Sequence, residues 1–418
     1  MKKLLTFTAL STILAAAQVQ AAGFHLREQS AAAQGNAYAG ATAGAENLSY
    51  AYFNAAGITR QKGTNINVGG TYIAPKAEMK NVRDEGGVRD PDSHNVVHAA
   101  VAPNMAISHQ LNEKAYIALA LNVPFGMITK YDEAWAGAEH GVTSKIISAT
   151  FTPMAAYKAT DKLSLGVGLP IQYLKAKLTS RKFMAGREGY NSSVQGDAID
   201  FGWQLSSMYE FNENTRVGLS YRSKIQHKLN GKSKLRATLP MFPAQPDQDI
   251  YAHLNMPAML SLGVFHQIND KWSVMAEYQR VFWSSFRDLY IRYKHGDAMV
   301  SLDGKGTREK WRDTNFYALG ASYKMDDQWK LRLGMAYDQA AARMNHRTPR
   351  IPDSDRLWYS AGLNYQYNEK LSFDFAYTYI YAHKARLDTA RTGNSGKNVT
   401  AEYTNSVQLF GFSLNYKF

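Results

Sequence analysis

The last ten residues constrain this chain more than any other stretch. Phe410, Phe412, Leu414, Tyr416 and Phe418 fall on alternate positions, with Gly411, Ser413, Asn415 and Lys417 between them. Such alternation describes a β-strand with one large apolar face and one small or polar face. The last strand of a soluble sandwich shares the pattern, but its aromatics would turn to a core, and here the chain stops on an aromatic residue with nothing after it to cover the strand edge. The closing strand of a membrane barrel accounts for both features, with the apolar face toward lipid and the polar face toward a lumen.

The other end of the chain predicts export. Lys2 and Lys3 precede an apolar run over 4–19, and Val19-Gln20-Ala21 offers the small residues a signal peptidase needs, so residues 1–21 read as a signal peptide and the mature chain starts at Ala22. No later stretch approaches the roughly 20 apolar residues of a spanning helix. The lack of cysteine removes disulfide frameworks and cysteine-based metal or nucleophile chemistry. In an exported chain, the net charge of +13 points to anionic headgroups or lumenal carboxylates before nucleic acid.

Six turn-like sequences punctuate the middle: Leu111-Asn112-Glu113-Lys114, Thr160-Asp161-Lys162, Asn212-Glu213-Asn214, Asn269-Asp270-Lys271, Asp326-Asp327-Gln328 and Asn368-Glu369-Lys370. Longer polar segments lie between them at 178–196, 229–249, 294–310, 343–355 and 384–400. Short turns on one side and long loops on the other are the asymmetry of an outer-membrane barrel. Six turns separate seven hairpins, hence fourteen strands over residues 63–418. Within them Leu331, Leu333, Met335 and Tyr337 oppose Lys330, Arg332 and Asp338, and Phe373, Phe375 and Tyr377 oppose Asp374. Charges kept off the apolar face predict a polar lumen, because Arg or Lys facing lipid at the midplane costs roughly 2–4 kcal/mol. Trp272, Trp329, Tyr209, Phe211, Tyr365, Tyr367, Tyr416 and Phe418 cluster at the short-turn ends as an aromatic girdle would. Residues 22–62 lack the barrel pattern. They are rich in Ala and Gly but carry enough aromatic and aliphatic residues to pack, which predicts a plug inside the lumen.

Several short motifs share one order along the chain: Ala22-Gly23-Phe24, Gly35-Asn36-Ala37-Tyr38-Ala39-Gly40, Asn54-Ala55-Ala56-Gly57-Ile58-Thr59, Ala102-Pro103-Asn104-Met105, Pro124-Phe125-Gly126, Tyr221-Arg222-Ser223, Leu254-Asn255-Met256-Pro257 and Ile351-Pro352-Asp353-Ser354-Asp355-Arg356. In this the chain resembles the FadL family of outer-membrane transporters for long-chain fatty acids and related hydrophobic molecules, over essentially its full length. The resemblance implies an all-β, fourteen-stranded transmembrane barrel in the outer membrane of a Gram-negative bacterium, plugged by an amino-terminal hatch. Ligand would enter from outside, rest in an inner pocket and leave sideways at a kinked third strand. Ala115 to Val123 reads as that strand. Pro124, which cannot donate a ladder hydrogen bond, and Gly126, which permits a bend, flank Phe125 there; the same residues equally suit a strand end.

By the family's pattern the pocket takes basic residues for the carboxylate. The matching positions are Arg312 and Arg181, with Lys175 and Lys177 on one strand face as further candidates and Phe24 reaching into the pocket. Asn54, Ala55, Ala56 and Gly57 match the hatch motif, except that Ala55 replaces the family's proline and with it a fixed backbone angle. Arg356, preceded by Asp353 and Asp355, reads as part of a structural charge network. No catalytic motif, cofactor fingerprint or convincing metal site is present in the sequence; His94 and His98 read as solvated surface. The implied partners are the hydrophobic ligand, outer-membrane lipid and lipopolysaccharide, and the barrel-assembly machinery through the terminal strand, with the chain a monomer. Competing readings are an aromatic hydrocarbon channel, an outer-membrane lipid hydrolase and a general porin.

Overall fold

The computed structural model describes residues 23–184, 187–300, 306–394 and 396–418; the signal sequence and Ala22 lie outside them. The alternating segments form fourteen antiparallel strands. They are β1 (Thr64–Arg83), β2 (Ala100–Gln110), β3 (Ala115–Asn122 and Gly126–Lys130), β4 (Thr143–Lys158), β5 (Leu163–Gly168 and Ile171–Met184), β6 (Arg187–Phe201 and Gln204–Glu210) and β7 (Thr215–Arg222 and Ile225–Ala237). There follow β8 (Gln248–Met256 and Met259–Gln267), β9 (Trp272–Val281), β10 (Thr314–Lys324), β11 (Trp329–Asp338), β12 (Arg356–Gln366), β13 (Leu371–Ala382 and Ala385–Asp388) and β14 (Thr400–Lys417). Each strand pairs with its neighbours in sequence, and β14 pairs with β1 from Asn65↔Lys417 to Arg83↔Thr400. The sheet is closed, so the terminal strand has no free edge.

The six short turns fall where the sequence puts them, and one side chain organises each. Asn112 Oδ1 accepts from the backbone N–H groups of Lys114 and Ala115, at 2.9 Å each. Asn212, Asn269, Asp326 and Asn368 repeat that geometry, and Thr160 Oγ1 takes the role before Leu163. The two faces also separate as expected: Leu333 is 63% exposed on the outside while Arg332 beside it is 2% exposed inside. At the short-turn end Trp272 packs on Tyr323 and Trp329 on Tyr365, with ring centroids 4.7 and 4.4 Å apart, as part of an outward aromatic girdle.

The expected long segments at 178–196 and 229–249 are largely strand instead. β5, β6 and β7 run on past the apolar band, and their faces carry a different load there: Leu174, Ala176 and Leu178 point inward while Lys175 and Lys177 point outward. Pairing continues because the ladder needs only backbone; hydropathy falls because water now meets the outer face.

Residues 23–62 fill the lumen and are almost entirely buried. They contain one short helix, α1 (Ala31–Gly35), capped by Ser30 Oγ accepting from the Ala33 N–H at 3.1 Å, and two 3-10 turns, Leu48–Tyr52 and Ala55–Arg60. The hatch backbone lies directly on wall glycines: a Cβ on Gly334 would stand 2.2 Å from the Asn36 carbonyl, and one on Gly218 2.0 Å from the Thr42 oxygen. Charges lock the contact. Arg332 bridges Glu46 of the hatch at 2.8 Å and Asp374 of the wall at 2.9 Å, while Arg216 Nε donates to the Ala43 carbonyl at 2.7 Å. Breaking such a buried set by removing one partner costs about 3–5 kcal/mol.

A Gly334→Leu substitution therefore should lift the hatch from β11 without touching a charged group. Single-channel recording in planar bilayers should show higher ion leak than the parent protein, with a lower unfolding temperature; unchanged leak would mean that the hatch does not need this contact.

Candidate ligand-binding and gating site

Inside the extracellular half, β3 to β8 and two loops line a cleft that is partly open to solvent. Met127, Ile146, Leu178, Leu229, Leu254 and Phe286 are among its walls, with Ser144, Glu309 and Arg350 among its polar members. Toward the hatch the same apolar cluster continues through Trp283 and Trp311 to Phe24 and Phe125. Phe24 is completely buried, with ring centroids 4.8 Å from Trp283, 5.5 Å from Trp311, 5.8 Å from Phe286 and 6.0 Å from Phe125. It closes the inner end of the cleft as an aromatic stopper.

The polar members are unevenly charged. Arg350 enters on the loop between β11 and β12, and its Nη1 donates to Ser144 Oγ at 3.0 Å and to the carbonyls of Thr143 and Thr179 at 3.3 and 3.4 Å. Among the described residues no carboxylate lies within 4.0 Å of it. Burial brings its guanidinium down to about 10, still protonated at neutral pH, and pushes the Glu309 carboxyl up to about 8, so Glu309 is largely neutral there. Among the described residues the half-buried Arg350 thus makes no ion pair, and the acid that acts on it across the cleft is Glu309.

Beside Phe24 the wall is broken. β3 stops at Asn122 and resumes at Gly126, and its ladder with β2 ends at the pair Met105↔Leu121. The hatch supplies the missing partners. The Leu26 N–H donates to the Pro124 carbonyl at 2.8 Å and the Gly126 N–H to the Phe24 carbonyl at 3.0 Å. The Gln29 side chain both accepts from the Val123 N–H at 3.1 Å and donates to its carbonyl at 2.8 Å. On the other side Ser148 Oγ accepts from the Phe125 N–H at 2.9 Å. Pro124, Phe125 and Gly126 therefore form an interruption within a strand, all three buried.

The basic residues expected in the pocket are elsewhere. Arg312 follows buried Trp311 and faces away from the cleft, donating to the Ala340 carbonyl at 2.9 Å and standing 3.5 Å from Asp355. Arg181 sits near the top of β5 and pairs with Glu133 at 3.1 Å. Lys175 and Lys177 do share a face, but it is the outer one, continuous with Leu165, Val167 and Ile171. Only Phe24 of the five lies in the cluster. Arg350 was missed although Pro349-Arg350-Ile351-Pro352 overlaps a recognised motif; an arginine held between two prolines was the available signal. Arg356 bonds Asp353 at 2.6 Å, in keeping with a structural network.

In the hatch motif, Asn54 Oδ1 caps the 3-10 turn at the Ala56 N–H (2.9 Å), while its Nδ2 donates to the Thr42 and Ser207 carbonyls at 2.7 and 3.0 Å. Ala55 is the first residue of that turn, where a proline would fit without losing a bond. Ala55 and Ala56 are completely buried, and a Cβ on Gly57 would come within 3.1 Å of Ala45. The turn is held by packing and by Asn54, so it does not depend on the absent proline.

Replacing Gln29 with Leu leaves the N–H and carbonyl of Val123 unpaired. Each such buried group costs about 1–3 kcal/mol. Hydrogen exchange followed by mass spectrometry should show faster exchange over 121–127 and unchanged exchange in β11; equal protection in both proteins would show that Gln29 does not seal the break.

A family described as outer membrane protein transport protein (OMPP1/FadL/TodX) matches residues 12–418. Outer membrane protein P1 of Haemophilus influenzae is 30% identical over 461 residues, covering 98% of each chain. The long-chain fatty acid transport protein of Escherichia coli strain K12 is 27% identical over 457 residues, covering 100% of this chain and 99% of that protein. Among solved structures, a Pseudomonas aeruginosa FadL homologue superposes with a TM-score of 0.86 at 26% identity, covering 95% of this chain and 100% of the other. The CymD monoaromatic hydrocarbon channel shares the fold, with a TM-score of 0.71 at 21% identity. The chain belongs to the OMPP1/FadL/TodX family of outer membrane transport proteins and resides in the outer membrane of a Gram-negative bacterium.

Proposed function

We propose that this protein is a passive transporter that takes up long-chain fatty acids, or hydrophobic molecules with a similar anionic head, and releases them sideways into the membrane. The observation that carries the reading is Arg350, a half-buried guanidinium with no carboxylate within 4.0 Å among the described residues, on the wall of a largely apolar cleft. An acyl chain gains on the order of 0.8 kcal/mol per buried methylene, so the walls hold the tail and the arginine holds the carboxylate. The relative named as a fatty acid transporter supports the same ligand class. Neutral aromatic hydrocarbons are the second reading, favoured by the aromatic stopper around Phe24 and by the fold shared with a monoaromatic hydrocarbon channel.

Exit follows from the shared bonds of hatch and wall. A ligand that displaces Phe24 pulls on Leu26 and Gln29, which close the break in β3, so filling the cleft loosens the wall beside it. The lumen occupied by residues 23–62 speaks against a general porin. A family described as transport proteins, and the relative named as a fatty acid transporter, support a non-enzymatic role. The monomeric barrel would be inserted by the assembly machinery through β14.

Two measurements on purified protein test this reading. Arg350→Met should weaken oleate binding by about 10-fold or more, the weight of a charge-assisted hydrogen bond, and leave a neutral alkane within about twofold; Arg312→Ala should alter neither. Equal losses for both ligands would remove Arg350 from the site. The second is pH. Glu309 is neutral below about 8 and ionises above it, which places a competing carboxylate near Arg350. Oleate affinity should fall as pH rises through about 8, and Glu309→Gln should flatten the profile.

A further inference from the structure

The outer surface of β4, β5, β6 and β7 changes character within a few residues. Phe151, Ile171 and Phe201 stand side by side in the ladder, 45%, 37% and 73% exposed, as the upper part of the lipid-facing band. One step up come Ala149, Tyr173 and Ile199, and one step further Ile147, Lys175, Asp197 and Asn230. The next row is Lys145, Lys177, Gln195, Lys232 and Asp249, each opposite the next across neighbouring strands. At about 3.3 Å per residue and a tilt near 40°, Ile147 and Lys145 lie roughly 10–15 Å above Phe151 on their own strand, at the level of headgroups.

Within these rows Lys145 lies directly opposite Lys177, an arrangement that destabilises a sheet unless an anion sits between the two. On the same outward face Lys228 continues the patch below Lys232 on β7, and exposed Lys224 lies at the break between Arg222 and Ile225. Among the described residues none of these six lysines has a carboxylate within 4.0 Å; the nearby Lys234 and Arg236 pair with Asp247. The opposite wall differs, since Lys76 and Lys80 of β1 both pair with Glu78.

We propose that this face is a binding site for the phosphorylated headgroup of lipopolysaccharide, the glycolipid of the outer leaflet. Its acyl chains would lie on Phe151, Ile171, Phe201 and Ile199, and its phosphates would sit between Lys145 and Lys177, on adjacent strands about 4.8 Å apart, and between Lys177 and Lys232, two strands and about 10 Å apart across Gln195, gaps that long lysine side chains can close onto one phosphate. Lys175 and Lys228 flank the row from below. The site is on the outside of the strands whose inner faces form the cleft, so bound glycolipid would brace that part of the wall without entering it.

The test is native mass spectrometry of the detergent-solubilised barrel titrated with bisphosphorylated lipid A, with dephosphorylated lipid A and with phosphatidylglycerol. The triple variant K145Q/K177Q/K232Q should lose about tenfold or more in affinity for bisphosphorylated lipid A, as should the wild type when offered the dephosphorylated form. K76Q/K80Q should bind like the wild type, and oleate binding should be unchanged in the triple variant, which separates this site from the transport cleft. Retained lipid A binding in the triple variant would overturn the proposal. So would phosphatidylglycerol binding as tight as lipid A and lost to the same degree, which would mark a surface for anionic lipid in general. A heat-modifiability gel establishes that each variant is a folded barrel, and Lys→Gln removes a like-charge contact without removing a strand bond.

Discussion

A strand that crosses a membrane cannot leave its peptide groups unpaired, because hydrocarbon offers them nothing. β3 is interrupted at Val123, Pro124 and Phe125, and the bonds that the interruption forfeits are made by residues 24–29 of the hatch and by Ser148. This one exchange ties three parts together. The backbone that seals the wall also carries Phe24, and Phe24 is the inner boundary of the cleft. Cleft, hatch and wall share the same few hydrogen bonds.

The rest of the hatch is anchored differently. Arg332, Glu46 and Asp374 form a buried charge set, Arg216 holds the carbonyls of Ala43 and Gly44, and Glu277 accepts from the backbone and side chain of Thr42. Wall glycines let the two backbones meet at contact distance. The leading end, by contrast, is tied by Gly23 to Asp353 at 3.1 Å and by the bonds at the break. Arg27 adds a contact to Asp338 at 3.5 Å. Both ends of the hatch are thus tied to the barrel, and the front also borders the cleft.

Much of the barrel was legible because a lipid-facing strand tolerates few alternatives. Alternation, turn residues and aromatic ends gave strand number, closure and face. The pocket was less legible for a specific reason. Below the lipid boundary a polar residue on a strand faces the lumen, and carrying that rule upward placed Lys175 and Lys177 inside. Their positions are in phase with Leu165 and Ile171, so they face out, and above the boundary nothing penalises a lysine there. Arg312 lies between strands next to buried Trp311, and its guanidinium turns to the Ala340 carbonyl and Asp355 instead of the cleft.

What the sequence by itself determined was the solvent of each face and the order of the strands, since both are written in period-two patterning and in residues such as Asn112 or Asn368 that act on neighbours two and three positions away. Only the tertiary structure decided which cation enters the cleft and what seals the break in β3. Arg350 is brought to Ser144 from more than two hundred residues away, and Gln29 to Val123 from ninety-four. Contacts of that range depend on how the closed barrel folds its loops and its front end inward, and no local pattern encodes them.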